Sequence, residues 1–141
     1  MKQILLLSCL VFVLGSSYCD RRSTGQQNSV LGQYELSAHD NSGRLVFTGT
    51  ISLTSLEQNH LKGQCVFLRQ KNAPENLQDE SGVCGGEMDG KKISIDSAPF
   101  LDDAGLILEG QFDNGRITGK WRIDGFVTSG PLGNFDAMRK K

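Results

Sequence analysis

Residues 108–121 read LEGQFDNGRITGKW, which is two copies of one five-residue unit, apolar-x-Gly-x-apolar, on either side of an Asn-Gly pair. Side chains of a β-strand alternate between its two faces, so the two apolar residues and the glycine of each copy share a face. Asn114-Gly115 favours a two-residue type I′ turn, because both central residues of that turn need positive φ. The stretch therefore predicts an antiparallel hairpin whose strands bury the same kind of face.

The same unit recurs along the rest of the chain. Its seven copies are residues 30–34, 47–51, 61–65, 84–88, 108–112, 117–121 and, with a proline leading, 131–135. Glycine inside a strand costs about 0.5–1 kcal/mol relative to alanine, so a shared geometric need must offset the repeated choice. Glycines let strands coil strongly and let facing aromatic rings approach the backbone. The repeat predicts a small closed barrel.

Alternating apolar positions predict eight strands, at about 30–38, 44–53, 61–69, 82–89, 91–96, 105–113, 116–123 and 131–139. Asp89-Gly90 and Asn114-Gly115 are both predicted to form type I′ turns, so consecutive strands pair antiparallel. The predicted fold is all-β, an eight-stranded antiparallel up-and-down meander barrel with glycine-coiled strands. A two-sheet β-sandwich is the alternative.

The chain divides into three parts by composition. Residues 1–19 are predicted to be an export signal, because Lys2 precedes an apolar stretch at 4–14 and the small residues Gly15-Ser16-Ser17 follow it. Residues 20–29 contain no apolar side chain and are predicted to be a flexible tether. Residues 30–141 form the β-barrel domain.

Charge and cysteines limit the partners and the compartment. The formal net charge is −1, and no basic stripe with interleaved aromatic residues occurs, so nucleic acid is excluded as a partner. Cys65 and Cys84 occupy inward repeat positions on neighbouring predicted strands, and an exported chain permits oxidation. A Cys65–Cys84 disulfide is predicted. Two buried free thiols, packed as small hydrophobic groups, are the alternative.

The N-terminal region resembles a bacterial lipoprotein precursor. Its short charged start and apolar stretch lead to Cys19-Asp20 and then to a polar tether, and the resemblance implies that Cys19 is lipidated. Ser16 and Tyr18 depart from the lipobox of that family, which places a large aliphatic residue three positions before the cysteine and a small residue directly before it. Ordinary cleavage after Gly15 or Ser17 is the alternative.

The barrel portion resembles the lipocalin and avidin group of ligand-binding barrels, which share an export signal, meandering strands and an inward aromatic residue after glycine. Those families carry Gly-x-Trp in their first strand. Here Gly119-Lys120-Trp121 lies in the seventh predicted strand, and the first offers Gly32-Gln33-Tyr34. The resemblance implies the architecture and, by analogy, binding of a small apolar ligand.

Candidate binding residues fall in two places. Trp121 and Phe112 are predicted to point into the lumen, where they would contact a bound ligand. His39, Phe100 and Phe126 lie in long loops that a meander collects at one end of the barrel, and binding residues concentrate on such loops. The short turns and both ends of the barrel domain are expected at the other end.

These patterns predict a non-enzymatic binding module that is secreted or held in the cell envelope. We expect no enzyme, because no adjacent acid, base and nucleophile can be assembled, and no cofactor or metal site, because the two histidines lie at opposite ends. One hypothesis is capture of a small apolar ligand in the lumen. The alternative is contact with an extracytoplasmic protein, such as a hydrolase to be inhibited, through the long-loop end. A membrane is expected as a partner only through a lipid on Cys19.

Overall fold

The computed structural model describes residues 30–101, 105–125 and 130–141. The predicted export signal, the tether, Cys19 and Phe126 lie outside these residues. The described chain forms eight strands and no helix. The strands are β1 (Gly32–Asp40), β2 (Leu45–Glu57), β3 (His60–Arg69), β4 (Glu80–Asp89), β5 (Lys92–Asp96), β6 (Leu106–Asp113), β7 (Arg116–Ile123) and β8 (Gly133–Arg139). Within the described ranges, no helix is long and apolar enough to cross a membrane.

All eight strands form one closed sheet in the order β1 to β8, with every neighbour antiparallel, and β8 pairs back with β1. The predicted up-and-down meander barrel is confirmed, and the two-sheet sandwich is wrong. Tyr34 near the start of β1 lies opposite Arg139 at the end of β8. The Arg139 N–H donates to the carbonyl of Gly115 in the short β6–β7 turn. Both ends of the barrel domain therefore lie at the short-turn end, as predicted.

The repeated unit faces inward. Phe47, Ile51, Leu108, Phe112 and Trp121 are all buried, in line with their places in their copies. The exception is the proline of the last copy, which is exposed because it precedes β8. Twenty-three residues along the eight strands and the adjoining loops pack into one buried cluster. The alternation of the sequence thus predicts the core correctly.

Gly110 and Gly119 lie opposite each other in the β6–β7 pair. A side chain on Gly119 would collide with the carbonyl oxygen of Glu109 and with the Cα of Gly110. The two strands therefore approach more closely than any larger residue would allow, which confirms a geometric need for glycine at this position. Such close approach accompanies the strong coiling that closes a small barrel.

The turns at the short-turn end correct the sequence analysis at two places. β2 runs to Glu57, so the predicted link 54–59 shrinks to the two residues Gln58 and Asn59, both with positive φ. The β4–β5 turn has Gly90 and Lys91 at its centre, because Asp89 pairs with Lys92, and only Gly90 has positive φ. That is the type II′ pattern rather than the predicted type I′. Asn114-Gly115 has two positive φ values, as a type I′ turn requires.

The predicted disulfide is confirmed. Cys65 and Cys84 are bonded, and their Cα atoms lie 5.8 Å apart. The two residues are diagonal neighbours, since Cys65 pairs with Gly82 and Cys84 pairs with Gly63. The bond therefore crosslinks β3 and β4 from inside the barrel.

Candidate functional site

The lumen is filled by the protein's own side chains near the long-loop end. Trp121 contacts Phe47 edge to face, with ring centroids 5.2 Å apart, and Phe47 contacts Phe67 in the same way at 5.7 Å. The Trp121 indole N–H donates to the carbonyl of His39 at 2.9 Å. Gly133 leaves the space for this bond, since a side chain there would meet both the indole nitrogen and that carbonyl.

Arg139 fills the lumen at the short-turn end. Its guanidinium lies 5.4 Å from the ring centroid of Tyr34 and 5.9 Å from that of Phe112. Its Nη2 donates to the Tyr34 hydroxyl at 2.8 Å, and that hydroxyl donates to the carbonyl of Val30 at 2.6 Å. Burial raises the pKa of the Tyr34 phenol, and the Arg139 charge and hydrogen bond act in the opposite direction. These contacts close the short-turn end of the barrel.

The burial of the inward side chains bears on the lumen hypothesis. Trp121, Phe112 and Phe67 are each 1% exposed. A cavity large enough for a ligand would give the side chains around it water-accessible area. The described inward residues are therefore packed against one another as one core cluster.

The structure joins two of the predicted binding residues, Trp121 and His39, through one hydrogen bond, and it places Phe112 and Phe100 elsewhere. Phe112 lies opposite Ile117 rather than beside Trp121, because the antiparallel register pairs the last residue of one repeat copy with the first of the next. His39 belongs to β1, not to the β1–β2 loop, since the strand continues past an irregularity at Ala38/His39. Its carbonyl supports Trp121. Phe100 lies in the β5–β6 loop and is 82% exposed.

The β5–β6 loop is held at the long-loop end by a buried serine. The Ser97 hydroxyl donates to the carboxylate of Glu80 at the start of β4, and its oxygen accepts the Leu106 N–H at 2.7 Å. Pro99 packs on the outer face of β4 next to Gly85. The loop therefore turns outward over β4.

A cleft of about 670 Å³ opens beside this loop. Val83 and Leu101 line it, and each exposes a large part of its side chain, 47% and 64% respectively. Val66 is a diagonal neighbour of Val83 across the β3–β4 pair, and Leu68 follows on the same face. We call the exposed apolar residues here the loop-end patch; it comprises Val66, Leu68, Val83, Phe100 and Leu101.

Carboxylates also line the cleft. Asp79, Glu80 and Asp124 all contribute to it. Asp79 accepts the Arg69 backbone N–H at 2.7 Å, which ties the β3–β4 loop to the end of β3. Asp124 lies 3.3 Å from the Arg122 guanidinium. The cleft thus combines exposed apolar side chains with carboxylates.

Sequence reasoning selected the same end of the barrel but did not name most residues of the patch and cleft. Val66, Leu68 and Val83 hold outward positions of predicted strands, and apolar residues at outward positions were the available signal. Glu80 gave no local signal, because its role depends on Ser97 in a different loop. Phe126 lies outside the described residues. Within the ranges 30–101, 105–125 and 130–141, no group of three or more His, Cys, Asp or Glu side chains is arranged to hold a metal ion.

No protein-family model matches the chain, and no curated protein matches it. Among solved structures, that of EF1p2_mFAP2b bound to DFHBI is similar, with a TM-score of 0.53 and 9% identity. The match covers 81% of this chain and 95% of that chain. At this identity the similarity shows a shared fold and nothing more. The fold class of the protein is therefore a small, closed, eight-stranded antiparallel β-barrel.

Proposed function

We propose that this protein is a non-catalytic binding module that contacts another macromolecule through the loop-end patch. The observation that carries the proposal is the concentration of exposed apolar side chains at one end of the barrel, where Phe100 and Leu101 are 82% and 64% exposed. Exposed apolar side chains that cluster, rather than occur singly, are typical of interaction surfaces.

The packing of the lumen supports a site outside it. A ligand inside the described barrel would have to displace Trp121, which is held by its bond to the His39 carbonyl and by the Phe47 ring. Displacing a buried tryptophan costs several kcal/mol, by comparison with about 3–5 kcal/mol for its truncation to alanine. The loop-end patch needs no such rearrangement.

The scaffold beneath the patch also supports the proposal. Val66 and Val83 lie on β3 and β4, which the Cys65–Cys84 disulfide joins. The β5–β6 loop is held by Ser97 through two hydrogen bonds. A surface whose apolar residues are already in place loses less conformational entropy on binding.

An extracytoplasmic location is part of the proposal, because disulfides persist in oxidising compartments. A lipid on Cys19 would hold the short-turn end toward the membrane and direct the loop-end patch away from it. The basic residues Lys140 and Lys141, which follow β8, lie at that short-turn end and would favour anionic headgroups, whereas the Arg139 guanidinium is held inside the lumen.

The proposal is tested by photo-crosslinking in the cells that produce the protein. A benzoylphenylalanine at position 101 is compared with the same residue at position 114, in the turn at the opposite end. We expect a discrete adduct from position 101 that Val83→Ser weakens, and none from position 114. Equal adducts from both positions, or adducts from position 114 alone, would show that the long-loop end is not the contact surface.

A further inference from the structure

The cleft beside the loop-end patch has a charge that the protein leaves uncompensated. Its lining includes Asp79, Glu80 and Asp124, and no Lys, Arg or His among the residues that the structure describes. Arg122 offsets Asp124 at 3.3 Å. Asp79 and Glu80 have no ion pair within the described ranges. Asp79 accepts a hydrogen bond from the uncharged backbone N–H of Arg69, and Glu80 accepts one from the Ser97 hydroxyl.

Several carboxylates elsewhere on the barrel have ion-pair partners. Asp113 pairs with Lys91 at 2.8 Å, and Glu35 pairs with Lys140 at 3.0 Å. Asp136 accepts from the Arg116 guanidinium. These pairs neutralise their charges locally. Asp79 and Glu80 have no such partner among the described residues, and they share their cleft with the exposed apolar side chains of Val83 and Leu101.

We infer that the occupant of this cleft is a partner protein segment in which a Lys or Arg side chain stands next to an apolar one. The cation would meet Asp79 and Glu80, and the apolar side chain would cover Val83 and Leu101. An uncharged occupant would bury these carboxylates without a counter-charge, which is costly, and an acidic one would be repelled. This inference rests on the proposed function and names the chemistry of its partner.

The extent of the apolar surface favours a protein segment over a small cation. The loop-end patch continues beyond the cleft to Val66 and Leu68 on the outer face of β3. A single small molecule in the cleft would leave those side chains exposed.

The test is selection of a random peptide library, displayed on phage, against the immobilised full chain. We expect enriched peptides to carry Lys or Arg within two positions of Leu, Ile, Val or Phe. A synthetic copy of the leading peptide should bind Glu80→Gln and Asp79→Asn about tenfold more weakly than the parent, a change of about 1.4 kcal/mol. Asp89→Asn, which removes a carboxylate at the opposite end, should bind like the parent. Glu80→Gln keeps an acceptor for Ser97, so the loop remains held.

The outcomes separate this inference from the proposed function. An uncharged or acidic consensus, no enrichment over a bare surface, or equal binding to Glu80→Gln and Asp79→Asn overturns the cationic partner. If the leading peptide then still loses affinity for Val83→Ser and Leu101→Ser, the loop-end patch remains the site. Unchanged affinity for both serine variants overturns the proposed function as well. Weaker binding as salt rises from about 0.05 M to about 0.5 M supports the cationic contact, since screening shortens to a few ångströms over this range.

Discussion

Gly119 in β7 lies so close to the neighbouring strand β6 that no other residue fits its position. A methyl group there would collide with backbone atoms of Glu109 and Gly110, which cannot move without shifting β6. We predict that Gly119→Ala lowers the free energy of unfolding by about 1–3 kcal/mol, as overpacking in a core does. Gly125→Ala is the matched control, because a Cβ at Gly125 would meet no atom within 4 Å. Urea denaturation measures both, and equal midpoints for the two variants would contradict the close approach.

The buried phenol of Tyr34 is expected to make the stability of the protein depend on pH in the alkaline range. Burial raises the pKa of its phenol above the ordinary value of 10.0. The unfolded chain therefore loses this proton at lower pH than the folded protein, so the folded state binds more protons above about pH 10 and its stability falls as pH rises. Below pH 10 the contribution is fully present. The free energy of unfolding, measured from about pH 8 to about pH 11, should fall less steeply for Tyr34→Phe than for the parent. Parallel curves would refute the role of Tyr34.

The stability of the β3–β4 strand pair depends on the disulfide that joins the two strands. Cys65 and Cys84 are separated by 19 positions in the sequence, and the bond limits the freedom of the unfolded chain between them. In the chain-entropy model a loop of this size contributes about 3 kcal/mol. We predict that the double variant Cys65→Ala, Cys84→Ala loses about that much stability. The parent in reductant should match the variant in a urea titration, and an unchanged midpoint for both would contradict the prediction.

The β2–β3 turn holds a residue other than glycine at positive φ. Gln58 adopts φ of 50°, a conformation that glycine enters without strain and that other L-residues enter at a cost of about 1 kcal/mol. Gln58→Gly is therefore expected to raise the free energy of unfolding slightly, by a few tenths of a kcal/mol after the greater entropy of the unfolded glycine is subtracted. Gly115→Ala, with φ of 80° at the starting glycine, should do the reverse. Thermal unfolding of both variants measures the contrast.

The whole molecule is organised around the barrel domain predicted at residues 30–141. Val30 at its start is buried, and its carbonyl accepts the Tyr34 hydroxyl. We predict that a chain beginning at Ser29 folds by itself and unfolds at the same temperature as a chain beginning at Asp20, because residues 20–29 contain no apolar side chain to bury. Calorimetry compares the two. A lower midpoint for the shorter chain would mean that the tether contributes to the fold.

Strand number, order and inward face followed from the sequence because their causes are local. Alternation defines a face within each strand, and Asn114-Gly115 specifies a two-residue turn through its own φ preferences. The pairing of Cys65 with Cys84 followed from the same logic, because both hold inward positions on adjacent strands. The turn at Gln58 escaped this reasoning, since glutamine has no preference for positive φ and its conformation is imposed by the register of β2 with β3.

Only the tertiary structure decided what the glycines leave inside the barrel. They could equally have left an open lumen, and the outcome depends on Phe47 reaching Trp121 across the barrel from a distant strand. The cleft is likewise a tertiary feature, because Glu80 at the start of β4 and Ser97 in the β5–β6 loop meet there. Alternation and turn chemistry act between neighbours in the sequence, whereas filling a lumen and closing a loop depend on contacts between residues that only the closed barrel brings together.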